Sequence, residues 1–165
     1  MPDTDDIAAT ELCPWRRQLL KGRVHDDNAF AVGGIDGHAG LFGTAADVGS
    51  LLSLLLSAYR GQPDDSEWIS PELIRCFWSR HEPSKRALGF DMPSPVGASC
   101  GCYFPETAVG HLGYTGTSFW IDVEHAVIVI LLTNRVHPSR WNVEIRRFRP
   151  LVHNQIMQDM KLTTS

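Results

Sequence analysis

A chain of 165 residues, 43% apolar and 21% charged, has room for one globular unit with a sizeable core and not for two. Its net charge of −4, with 15 basic residues that nowhere form a run, leaves no electrostatic footprint for nucleic acid or an anionic membrane surface. No stretch approaches the roughly 18 apolar residues of a membrane span, and the opening MPDTDD is acidic where a secretory signal is basic, so the chain as written is expected to be soluble, without an export signal, and cytoplasmic.

Residues 1–22 mix charge with Pro14 and Trp15 and show no clean period, which predicts a lead-in loop outside the core; the domain proper is expected over 23–165. Glycines at 33, 34, 37, 40 and 43 exclude a helix or central strand there and predict a tight loop. Thr44 then caps a helix, with Asp47 three positions on. Val48, Leu51, Leu52, Leu55, Leu56 and Tyr59 give that helix, about 45–60, a broad apolar face until Gly61. Ser70-Pro71-Glu72 opens a second helix expected to end near Arg80.

A short strand is expected over 87–92, followed by a loop punctuated by proline and glycine. Residues 109–123, rich in Thr, Tyr, Phe, Trp and Ile, and the apolar run 126–133 predict a hairpin turning at 122–125, its second strand buried on both faces. Trp141, Ile145, Phe148, Val152 and Ile156 recur at threes and fours, placing them on the inner stripe of a terminal helix. Arg146, Arg147 and Arg149 fall mostly outside it, and Pro150 is expected to kink the helix or mark its start. This order of elements reads as α+β.

Several motifs suggest chemistry that their context refuses. Gly97-Ala98-Ser99-Cys100-Gly101 matches the GxSxG elbow, with Asp122 and His125, His137 or His153 downstream, but prolines flank it where a strand and a helix are required. His25, Asp26, His38 and Asp47 offer metal-ligand chemistry on a glycine-rich loop, where hydrogen bonding to the backbone is the favoured reading. The four cysteines form no disulfide framework, and the Cys100/Cys102 pair has no companion pair for a metal. No GxGxxG or Gly-Lys phosphate cradle is present. No cofactor and no metal site are therefore expected. The run from Gly110 to Thr117, glycine-rich inside an otherwise strong strand, marks either a bulged edge or a place where a ligand comes close.

Taken together, Val24 to Ala29, Gly37 to Asp47, Arg86 to Asp91, GHLGYTGTSFWID from Gly110 and Leu131 to Pro138 resemble the serine β-lactamase-like family, and within it the class C-like esterases and penicillin-binding-protein-like members. The resemblance runs from about Arg23 to Met157. It implies a sheet packed by terminal helices against a helical region, with the active site in the cleft between them. His111-Leu112-Gly113 matches the family's KTG-like strand with His for Lys, which implies that His111 faces the cleft and that the Tyr114 backbone N–H is an oxyanion donor. It also implies that Gly113 lets substrate lie against the strand, with Thr115 and Gly116 as further substrate-binding positions.

The other two family motifs are missing from these residues. The lysines are Lys21, Lys85 and Lys161, and three positions before them stand Gln18, Glu82 and Gln158, so there is no SxxK; no Tyr or Ser is followed two places later by Asn. The expectation is the C-terminal part of a hydrolase that opens an ester, amide or β-lactam bond through an acyl-enzyme, inactive alone for want of the nucleophile. Its substrate in the complete form is a small ester or amide, or peptidoglycan-like, and its protein partner a complementary N-terminal half or a second copy. The alternative is a non-catalytic remnant that binds a partner or ligand.

Overall fold

The computed structural model describes residues 6–62 and 69–163. It opens with a short antiparallel ladder, β1 (Leu12–Cys13) and β2 (Gln18–Leu19), then a single-turn helix α1 (Asp27–Ala31). Residues 1–5 of the expected lead-in loop lie outside the described residues; the rest is mostly turn, yet it contributes fully buried Cys13 and Leu20 to the interior. Local periodicity could not reveal this, because only alternate residues of a two-residue ladder face inward.

Helix α2 (Ala45–Tyr59) starts where the sequence places it. Thr44 Oγ1 accepts the Asp47 N–H (3.2 Å) and Asp47 Oδ2 accepts the Thr44 N–H (2.7 Å), a reciprocal capping box. Helix α3 (Pro71–Phe77) is capped by Ser70, whose hydroxyl accepts the Leu73 N–H (3.1 Å). It stops at Trp78 rather than near Arg80, as Trp78 buries itself against Tyr59 and Phe90.

The sheet is a three-stranded antiparallel meander, β3 (Val109–Leu112), β4 (Ser118–Asp122) and β5 (Val127–Leu131), with β4 in the middle. The expected long strand 109–123 is thus two strands, broken where the Gly113 N–H bonds the Thr117 carbonyl (2.8 Å) and Gly116 takes φ +119°. β5 is half-buried apart from Val129 instead of buried on both faces, because it is an edge strand. The strand expected at 87–92 is reduced to one bridge, Asp91 to Gly110, with bonds of 2.7 and 2.9 Å. At 122–125 the hairpin turn forms as expected: Asp122, fully buried, accepts the N–H groups of Glu124 and His125 and the His125 Nδ1–H.

Helix α4 (Ile145–Asp159) completes three layers of an α+β fold. Leu52, Leu55 and Leu56 of α2 and Ile74 of α3 pack on the face of Val109 and Ile121; Ile156 and Met157 of α4 pack on the opposite face, with Trp120 and Val129. α4 runs through Pro150, but its inner stripe is Ile145, Arg149, His153 and Met157. Trp141 is 85% exposed and lies before the helix, and Phe148 faces out. The helix turns Arg149 inward because backbone carbonyls await it there, and that requirement overrides the apolar count.

Candidate active site

The turn 113–117 between β3 and β4 carries Gly113, Tyr114, Thr115 and Gly116, and His111 precedes it on β3. His111 pairs with Phe119 across the ladder, which puts it on the α2-facing side of the sheet, and it is exposed at the outer end of β3. Each of the five carbonyls from Gly113 to Thr117 accepts a hydrogen bond. Arg149 Nη2 donates to Gly113 (3.0 Å) and Thr117 (2.7 Å), Arg135 Nε to Tyr114 (2.7 Å), the Arg135 N–H to Thr115 (2.9 Å), and Thr133 Oγ1 to Gly116 (2.6 Å). Among the described residues nothing accepts the Tyr114 N–H. The Tyr114 ring stacks on His25 (5.6 Å between centroids) and lies under the Arg135 guanidinium (4.4 Å).

The glycines of this turn are required by close neighbours. A Cβ on Gly113 meets Thr117 Oγ1 at 2.1 Å, and one on Gly116 meets the Arg135 N and Thr133 Oγ1 at 2.9 Å. The space beside Gly113 is therefore filled by the turn's own threonine.

A buried charged network ties the N-terminal segment to this region. Glu11, 1% exposed, is held by Arg140 through Nε (2.8 and 3.0 Å) and Nη2 (2.7 Å), and takes the His25 Nε2–H at 3.1 Å. The Arg140 bonds hold the Glu11 carboxyl below its usual range against the opposing effect of burial, while burial pushes His25 down despite Glu11 beside it. Asp27 receives Trp15 Nε1–H (2.9 Å), Arg16 Nη2 (2.7 Å) and Arg140 Nη1 (3.4 Å); burial alone raises it, and these bonds outweigh burial and leave it lowered. Under the sheet, burial lowers both Arg149 and His153, Arg149 further through the neighbouring Arg135 charge.

The other candidates go elsewhere. Asp26 accepts the Ala29 N–H as the α1 cap and the His38 Nε2–H (2.9 Å); Asp47 serves the α2 cap, and His25 bonds a carboxylate rather than loop backbone. Ser99 sits in a turn with no strand before it, and Asp122 is occupied in its own turn. Burial raises the Cys100 thiol to about 12, so it carries no thiolate. An open hollow lined by Arg80, Lys85, Cys102, Pro150 and Asn154 includes none of residues 111–117. Arg149 escaped the sequence reading because charge assigned it to the outer face; Arg135 and Thr133 lay inside a motif already singled out, without a role.

The chain is similar to known proteins over most of its length. The family model described as Beta-lactamase matches residues 2–152. A "Putative D-alanyl-D-alanine carboxypeptidase" of Escherichia coli (strain K12) is 31% identical over 126 residues, covering 74% of this chain and 29% of its own length. One from Salmonella enteritidis PT4 is 32% identical over 136 residues, covering 79% and 31%. An "N-acetylmuramyl-L-alanine amidase" of Bacillus subtilis (strain 168) is 32% identical over 134 residues, covering 74% and 28%. The chain spans under a third of the length of these curated relatives. With the family model matching most of its residues, the chain belongs to the serine β-lactamase-like family of hydrolases.

Proposed function

We propose that the chain is the C-terminal part of a serine β-lactamase-like hydrolase domain, acting on an ester or amide of peptidoglycan-like or β-lactam type through an acyl-enzyme, and that it supplies one wall of the cleft but no nucleophile. The observation that supports this reading is the unused Tyr114 N–H, in a turn whose carbonyls all accept hydrogen bonds. A preorganised N–H with no competing acceptor is what a developing oxyanion requires. His111, exposed on the α2-facing side, is the orienting or proton-transfer group. Gly113 keeps the turn tight, and Thr115 and Gly116 line the substrate path. The names of the carboxypeptidase and amidase relatives favour a cell-wall peptide or amide over other esters.

The test supplies this chain with a family N-terminal half bearing SxxK and follows hydrolysis of a chromogenic β-lactam and a nitrophenyl ester. The chain alone is silent and the pair turns over. His111→Ala in the pair lowers turnover by more than about tenfold, since a general acid-base or orienting group contributes about 10² to 10⁴. His25→Ala, corrected for the folded fraction, lowers it less. Equal losses at both positions put the cleft in the wrong place, and a folded pair that never turns over favours a binding module instead.

A further inference from the structure

Arg149 faces the sheet from the second turn of α4 and is 6% exposed. An uncompensated interior charge costs several kcal/mol, so buried arginines normally meet a carboxylate. Among the described residues Arg149 forms no ion pair, and its Nε has no hydrogen-bond partner. Its Nη2 instead spans the two ends of the turn, the carbonyls of Gly113 and Thr117. The Gly113 carbonyl and the Tyr114 N–H belong to one peptide unit, and that unit is trans. In a planar trans peptide the two groups point in opposite directions, so fixing one fixes the other. A cation on the carbonyl oxygen also draws electron density through the unit and strengthens the N–H as a donor.

We infer that Arg149 is a positioning residue, which by holding the Gly113 carbonyl from the α4 side orients and polarises the Tyr114 N–H for the oxyanion. This rests on the reading of the cleft given above. Nothing in it requires Arg149 to touch substrate. Arg135 and Thr133 hold the intervening carbonyls; the Gly116 N–H also bonds the Gly113 carbonyl (3.1 Å), and among the described side chains Arg149 alone grips both ends of the turn.

The experiment has two arms. In the 165-residue chain, Arg149→Met, Arg149→Lys and the exposed control Arg147→Met are compared by amide NMR and hydrogen exchange. Arg149→Met shifts the Tyr114 amide resonance and speeds exchange at Gly113 and Gly116 by about tenfold or more, while the β4–β5 ladder stays protected. Arg149→Lys restores part of both effects, its ammonium reaching one carbonyl, and Arg147→Met changes neither.

In the reconstituted pair, Arg149→Met lowers kcat by about tenfold or more with KM within about twofold, because the lost interaction acts on the transition state. Protection lost everywhere together in both Arg149 variants, an unchanged Tyr114 resonance, or a rise in KM alone overturns the proposal. If the pair never turns over, the cleft assignment fails, and the resonance and exchange still decide whether Arg149 holds the turn.

Discussion

Glu11 and Arg140 lie 129 residues apart in sequence, and their four-contact pairing is invisible to any local pattern; it draws Glu11 into the interior from a segment expected to lie outside the core. Removing the cation leaves the buried carboxylate with the His25 Nε2–H as its only side-chain partner, so Arg140→Met destabilises the chain by about 3 kcal/mol at pH 7 in urea melts, the low end for a broken buried pair because Arg140 is only partly buried and His25 remains. Glu11 titrates below its ordinary 4.5 in the folded chain, so its contribution is present above pH 4.5 and drains away as pH falls through the folded value. The deficit of Arg140→Met therefore shrinks below pH 4.5, and a deficit independent of pH contradicts the pairing. His25 and His153 carry the same sign at higher pH. Burial holds both below 6.5, the unfolded chain takes up these protons first, and stability falls as pH drops from 6.5 through the folded values. The slope is at most about 1.4 kcal/mol per pH unit for each histidine. His153→Gln flattens that decline; an unchanged decline means His153 is not the buried neutral group described. His38, raised by its bond to Asp26, works in the opposite sense, its contribution complete below pH 6.5 and lost as pH rises through the folded value.

Elements whose determinants are local were legible, and those set by distant partners were not. α2 carries its cap, its apolar face and its stop within one short window, so its limits follow from the residues themselves. The rotation of α4 depends on carbonyls in the β3–β4 turn, and the break in the 109–123 run depends on two glycines among residues that otherwise favour a strand. Two glycines of this run, Gly110 within β3 and Gly113 in the turn, make a graded prediction. A Cβ at Gly110 meets the Phe119 carbonyl at 2.4 Å and the Trp120 ring at 2.5 Å, neither of which yields without parting β3 from β4. At Gly113 the first obstacle is a single side-chain oxygen, Thr117 Oγ1. Gly110→Ala should therefore cost more in thermal melts than Gly113→Ala, and Thr117→Ala should restore part of the loss at Gly113 and none at Gly110. Equal costs, or rescue at both, mean the turn is not packed in this way.

At the scale of the molecule, the family and the α+β class were legible from ordered motifs, while the packing of residues 11–20 into the interior was not, because a short ladder leaves little periodicity. The sheet ends at β5 in the described structure, and Leu132 just past β5, Trp141 and Val143 ahead of α4, and Phe148 and Leu151 on α4 stand exposed. At about 25 cal/mol per Å² of apolar surface, several hundred exposed Å² forgo on the order of 10 kcal/mol of burial, as much as a whole domain's stability. The isolated chain should bind a hydrophobic dye with a broad melt, or self-associate; a dye-silent monomer with a sharp melt means these residues close their own core. The claim that this chain is one wall of a serine hydrolase cleft, without the nucleophile, is tested most directly by intact-mass analysis after incubation with an activated β-lactam, for the chain alone and with the N-terminal half. The account predicts no acyl adduct on any residue of this chain in either sample and an adduct on the added half in the second; an adduct on Ser99 or any other serine of this chain contradicts it.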